Sequence, residues 1–223
     1  MQYSKAITAH VFDCDGVLLD SNQAKIDALI SSLDAVGCPK NFTNWASSEF
    51  RKNFGRTRLQ HFKIFKKYNG VAGFNLNENS AEAAMNLYSK KVVDLYCVCN
   101  IIPESLEYLK KISQHQMIYV VSASNEVELK KILPSRISVI SSDNIYGGPI
   151  SKIDNLNKLL INIPSKHIMF YGDAVQDAKA AIASGVSFIG LSKYSADPHS
   201  LKSYCLAEGL SFRNNLNEVS LNE

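Results

Sequence analysis

Two carboxylates one residue apart, Asp13 and Asp15, close the apolar run Ala6–Phe12 and are followed at once by Gly16. Such a pair is costly in a folded chain. Like charges repel, and burial penalises each ionised group unless something compensates it. A divalent cation is the natural compensation, and Mg²⁺ takes a few carboxylates together with substrate phosphate oxygens. The pair therefore points to chemistry on phosphate esters.

Three later clusters supply what such chemistry needs. Ser122-Ala123-Ser124-Asn125 follows the apolar stretch Tyr119–Val121. Gly147-Gly148-Pro149-Ile150-Ser151 leads into Lys152, and Gly172-Asp173 is followed four residues later by Asp177. A nucleophilic carboxylate, a hydroxyl, an ammonium and further acids can meet if all four clusters end neighbouring strands of a parallel sheet. Taken singly, each has a plainer use. Ser122, Ser124 and Asn125 compete as helix N-caps, Asp173 suits a helix start, and Lys152 and Asp177 suit solvated helix faces.

The elements that must position these clusters follow from apolar patterning. Ile7–Phe12, Met117–Ser122, Ile137–Ile140, Ile168–Tyr171 and Ser187–Leu191 read as buried parallel strands. Pro103–Ser113, Glu126–Leu133 (ending at Pro134), Ile153–Leu160 and Val175–Ser184 read as helices, with Gly185 at a helix C-terminus. The alternation predicts an α/β fold, a doubly wound parallel sheet with its site at the carboxyl ends of the strands. From about Asn22 to Val93 the pattern changes to helical segments at Gln23–Val36, Ser47–Phe54, Arg58–Tyr68 and Ser80–Tyr96. Gly70, Gly73 and the asparagines between Asn75 and Asn79 mark a loop among them. An inserted α-helical cap over the first strand is the simplest account: residues 22–93 as cap, residues 1–21 and 94–223 as core.

Composition excludes other classes. A net charge of +3 in 223 residues gives no polybasic stripe for nucleic acid or membrane. No apolar run approaches the ~20 residues that span a bilayer, and Met1–Lys5 carries no signal-peptide pattern. Cys97-Val98-Cys99 lacks zinc spacing, and the five scattered cysteines suit reduced thiols in a cytoplasmic protein.

The ordered set resembles the haloacid dehalogenase-like (HAD) hydrolases, specifically phosphatases with a C1-type helical cap in the phosphoglycolate phosphatase and beta-phosphoglucomutase-like branch. Asp13-Cys14-Asp15-Gly16-Val17 matches the DxDG[VT] signature, Ser122 the Ser/Thr motif, Lys152 the lysine motif, and Gly172-Asp173 with Asp177 the acid motif. The resemblance covers essentially the whole chain. It implies a Rossmann-like core and a Mg²⁺-dependent phosphatase of a small phosphorylated metabolite, phosphoglycolate- or sugar-phosphate-like, working through an aspartyl-phosphate. Asp13 would attack phosphorus and ligate the metal. Asp15 would protonate the leaving alcohol, deprotonate the water that follows, and give its backbone carbonyl to the metal. Asp173 would ligate the metal directly, while Asp177 would hold a metal-bound water or orient Lys152. Ser122, Lys152 and the amides of Ala123 and Asp15 would bind the phosphoryl oxygens.

Within the cap, Arg51-Lys52-Asn53-Phe54-Gly55-Arg56-Thr57-Arg58 gathers four cations around one glycine. The equivalent region of capped relatives contacts substrate, so Arg56 and Arg58 are substrate-binding candidates. His61 reads as structural and Trp45 as cap core. Related mutases carry a histidine where this chain has Lys25, which favours hydrolysis over a sugar phosphomutase. Family dehalogenases lack the second acid, and Asp15 is present. A catalytically silent binding module is the third reading, disfavoured by the retained acids.

Overall fold

The computed structural model describes residues 7–67 and 74–220. Six strands form one all-parallel sheet: β1 (Ala9–Phe12), β2 (Met117–Asn125), β3 (Ile145–Gly148), β4 (Ile168–Gly172), β5 (Ser187–Leu191) and β6 (Ser211–Arg213), in the spatial order β3-β2-β1-β4-β5-β6. The chain winds outward from β1 in both directions, so a crevice opens where the order reverses beside β1. Among the described residues four helices follow β1: α1 (Asn22–Ala35), α2 (Lys40–Lys52), α3 (Arg58–Lys66) and α4 (Glu78–Val98). The remainder alternates with the strands: α5 (Pro103–Ile112), α6 (Glu126–Arg136), α7 (Lys152–Leu160), α8 (Val175–Ser184) and α9 (Pro198–Ala207). No described helix is long and apolar enough to cross a membrane.

Both faces of the sheet are covered, which is why its central strands read as continuous apolar runs. Ala9 and Val11 of β1 pack with Leu156, Ala181 and Leu201 of α7, α8 and α9. Phe12 belongs to the opposite cluster, with Leu109 of α5 and Leu133 of α6. That second cluster continues through Leu18 and Leu19 into Leu29, Phe42, Phe65 and Tyr88 of the four helices.

The sequence reading needs several corrections. Ile137–Ile140 is no strand; the two isoleucines are buried in a turn closed by Ile140 N–H donating to the Ile137 carbonyl at 3.0 Å, and β3 lies farther on. Buried apolar side chains alone do not separate a turn from a strand. Helix α6 runs through Pro134 to Arg136. Arg136 donates to the carbonyls of Tyr96 and Cys99, satisfying free groups at the end of α4 and holding the last turn. Helix α2 starts at Lys40, seven residues ahead of expectation, and β6 and α9 were not anticipated. Gly70, Gly73, Tyr68 and Met1–Lys5 lie outside the described residues.

Candidate active site

The registers bring the first, second and fourth sequence clusters together. Phe12 pairs with Val120 on one side and with Tyr171 on the other. Asp13 is one residue beyond this level, and Ser122 and Asp173 are two beyond it, Ser122 still within β2 and Asp173 just past β4; Asp13 N–H donates to the Tyr171 carbonyl at 2.9 Å. The β2–β3 register slips between Val121 and Asn125. Ser122 and Ser124 lie within this slip, and both are buried. Gly16 makes the turn after Asp15 with φ +72, and a Cβ there would sit 2.2 Å from Asp173 Oδ2.

Lys152 comes from the first turn of α7, whose N-cap Ser151 accepts from Asp154 N–H at 3.1 Å. Its ammonium lies 2.8 Å from Asp13 Oδ2 and also ion-pairs with Asp177 Oδ1. Asp177 sits at the start of α8, and its Oδ2 accepts from the backbone N–H groups of Asp173 (3.2 Å) and Ala174 (3.1 Å). This packing requires Gly172, since a Cβ there would lie 2.4 Å from Asp177 Cβ. Neither Ser122 nor Asp173 serves as an N-cap: Asn125 caps α6 and Ala174 precedes α8.

Asp13, Asp173 and Asp177 each offer a carboxylate oxygen, and the three oxygens lie within 4.8 Å of one another. All three residues are buried. Burial, Asp177 and Asp15 push the Asp13 pKa up to about 6, against the pull of Lys152. Burial, then Asp177 and Asp13, push that of Asp173 well above the carboxylate range. One ammonium leaves three buried acids under-compensated. The donor set, all oxygen and acidic, fits a hard divalent cation. Asn22 donates from Nδ2 to Asp173 Oδ2 at 2.6 Å, holding that carboxylate from the start of α1.

Asp15 has a different environment. Lys25 Nζ and Ser124 Oγ donate to Oδ2 at 2.7 and 2.8 Å, Ser21 Oγ donates to Oδ1 at 2.6 Å, and Tyr96 Oη reaches both oxygens at 2.9 Å. Burial works against its ionisation, but the Lys25 charge and these hydrogen bonds outweigh it and hold its pKa below the usual value.

A partly open cavity of about 30 Å³ lies beside Asp13 and Asp15. Asp13, Asp15, Ser122, Ala123 and Ser124 line it from the sheet side; Lys25, Phe50, Phe54, Arg56, Arg58, His61 and Tyr88 line it from α1–α4 and the α2–α3 turn. Lys152, Asp173 and Asp177 do not line it and sit beyond Asp13. Arg58 holds Glu128 of α6 through both guanidinium nitrogens, at 3.0 and 2.9 Å, and donates to Ser89 at 2.6 Å. His61 is buried in the cavity wall beside Phe50 (ring centroids 4.2 Å apart). Burial, Lys25 and Arg56 lower its pKa to about 3, so it is neutral. Trp45 is only partly buried against the helical core.

Sequence reasoning did not single out Ser21, Asn22, Tyr96 or Glu128. Tyr96 lies 81 residues from Asp15, and nothing local marks it as a partner.

Comparison with known proteins gives a family. The model for haloacid dehalogenase-like hydrolases matches residues 7–185. No curated protein matches the sequence. Among solved structures, a predicted phosphatase from Clostridium acetobutylicum superposes with a TM-score of 0.75 at 19% identity, covering 96% of each chain. A candidate beta-phosphoglucomutase from Bacteroides vulgatus gives 0.74 at 18%, covering 96% of this chain and 86% of its own. A predicted phosphoglycolate phosphatase from Haemophilus somnus gives 0.67 at 20%, covering 85% and 86%. At such identities the likeness is one of fold.

Proposed function

Because the chain belongs to the haloacid dehalogenase-like hydrolases, we propose that it is a Mg²⁺-dependent phosphatase of a small phosphorylated metabolite, with residues 22–93 as its cap. One observation carries this reading. The Asp13 carboxylate stands at the end of β1 against both a cation, Lys152 at 2.8 Å, and a cluster of acids that needs a second cation. The names of the solved neighbours, which include phosphatases, support the same class.

Asp13 needs no deprotonation before attacking phosphorus, and an aspartyl-phosphate splits one difficult displacement into two. Lys152 screens its charge from the incoming anion and then follows the transferring oxygens. Ser122 and the Ala123 amide border the cavity where those oxygens would lie. Asp15 faces the leaving-alcohol side, fixed by Lys25, Ser21, Ser124 and Tyr96. Held ionised by these partners, it is set to take a proton from the attacking water; to protonate the departing oxygen it would first have to carry a proton itself, which loosening of the Lys25 pairing would favour. Arg56 and Arg58, on the cap side, would contact the alcohol. Asp13, Asp173 and the Asp15 backbone carbonyl would hold Mg²⁺, with Asp177 steadying Lys152. When bound, the ion supplies charge neutralisation for the phosphoryl group.

The test is release of inorganic phosphate from an aryl phosphate and from a panel of phosphometabolites. Turnover with Mg²⁺ that vanishes on chelation is expected. No phosphate release from any ester would sink the proposal and favour a binding module.

A further inference from the structure

Asn22 opens α1, yet its side chain does none of the work usual at a helix start. Ser21 holds the N-cap position, and no side chain caps the helix there. Asparagine is a poor residue within a helix and is mostly exposed on protein surfaces. Asn22 is only 4% exposed, and its amide turns toward the acids at the end of β4.

The nitrogen of that amide is fully used. Nδ2 donates to Asp173 Oδ2 at 2.6 Å and to the Tyr194 carbonyl at 2.8 Å. Both partners are acceptors, which fixes the end of the amide that carries nitrogen. Oδ1 of the same amide is buried and has no hydrogen-bond partner among the described residues. Amide geometry alone puts it within about 5 Å of Asp173 Oδ2. A buried acceptor left unmet costs free energy, so it marks where a donor belongs. Water held on a cation is such a donor, and Mg²⁺ bound by carboxylates keeps several of its waters.

We infer that Asn22 is a positioning residue of the metal site: Nδ2 fixes the Asp173 carboxylate, and Oδ1 accepts a hydrogen bond from the water shell of the bound cation. Partners of this kind orient metal ligands, and losing one costs roughly 10–100-fold in metal affinity. Asp173 is held from a second side by the segment after β5, where Ser195 Oγ donates to its carbonyl at 2.5 Å. Arg51 separates the proposed role from simple stapling. It also ties the helices to that segment, donating to Gln23 Oε1 at 3.1 Å and to the Ala196 carbonyl at 3.4 Å, but it forms no ion pair with the acids among the described residues.

The role rests on the metal of the phosphatase reading and needs no turnover to be tested. Whole protein freed of metal by chelation is titrated with Mg²⁺ alone in a calorimeter. Asn22→Leu, which keeps the volume and removes both polar atoms, should bind Mg²⁺ roughly 10–100-fold less tightly than the parent. Arg51→Met, which shares no partner with the acids, should lose no more than about threefold. Mn²⁺ takes the same hard oxygen ligands. Its electron paramagnetic resonance spectrum in the site should change in Asn22→Leu and stay that of the parent in Arg51→Met, since only the first alters what surrounds the ion. Asn22→Ala carries the same comparison if the leucine variant does not fold. A folded Asn22 variant that binds Mg²⁺ as tightly as the parent, an equal loss in Arg51→Met, or no Mg²⁺ binding by the parent would overturn the inference. Should the expected Mg²⁺ pattern hold while no phosphate ester is hydrolysed, the phosphatase reading falls and the place of Asn22 at the metal stands.

Discussion

Lys25 Nζ lies 2.7 Å from Asp15 Oδ2, joining the first helix after β1 to the second acid of the motif. Both side chains are almost wholly enclosed, at 10% and 7% exposure. Removing one member of such a pair strands the other as an uncompensated buried charge. Lys25→Met should therefore destabilise the protein by about 3–5 kcal/mol in chemical denaturation. Asp15 has a lowered folded pKa, so its stabilisation is present above the ordinary value of 3.8 and lost as pH falls through the lower folded value. In the variant the stranded Asp15 should take up a proton more readily, so the deficit should shrink as pH falls, first through that raised value and then through the parent's lowered one. A deficit below about 1 kcal/mol near neutrality would place the pair with ordinary surface bridges.

Asp13 and Asp173 predict the opposite slope. Their folded pKa values lie above the unfolded ones, so ionisation costs stability in the metal-free protein, and the cost is relieved on protonation. For Asp13 the relief should come as pH falls from about 6 toward 3.8. Metal-free protein should thus lose less stability, or gain some, over that interval, before general acid unfolding sets in. Mg²⁺ should raise the melting temperature more at pH 7.5 than at pH 5, because it binds the ionised acids. Equal Mg²⁺ shifts at both pH values would remove these carboxylates from the metal site.

Where the sequence was informative, local chemistry had a local signature. An acid pair at a strand end, a Gly-Asp step and a glycine-led lysine are each contiguous, and their order along alternating strands implied one crevice. What stayed hidden depended on contacts between distant elements. Tyr96 and Ser124 reach Asp15 from α4 and β2, and Glu128 captures Arg58 across α3 and α6. His61 looked like an ordinary helix residue because its exposure depends on which helices surround it. The missed β6 is three residues long, too short for its alternation to register. The Ile137–Ile140 error arose because buried isoleucines in a turn leave the same pattern as a strand.

Asp13→Asn tests the proposed nucleophile apart from the scaffold. The amide keeps the shape and can still face Lys152 Nζ, but it is a far poorer nucleophile. Phosphate release should fall by roughly 10³-fold or more, with an unchanged circular dichroism spectrum. Because one of three clustered acids is neutralised, the metal-free variant should be no less stable than the parent at pH 7.5. Retained turnover would end the assignment of Asp13.

Arg58 and Glu128 form a two-pronged contact between α3 and α6, with both side chains about four-fifths enclosed (19% and 18% exposed). Planar two-point geometry and partial burial place it above a surface bridge and below a fully buried pair. A double-mutant cycle with Arg58→Met and Glu128→Gln should give a coupling of about 1–2 kcal/mol in denaturation experiments. The kinetic consequences should differ between the partners. Glu128→Gln releases Arg58 toward the cavity that Arg56 also lines, so KM for an ester whose alcohol is itself anionic should fall while KM for an aryl phosphate with an uncharged ring moves less. Arg58→Met leaves Glu128 without its cation near the same wall, and should raise KM for the anionic ester more than for the aryl one. Changes equal for both substrates would confine the contact to holding α3 against α6, with no bearing on what the cavity admits.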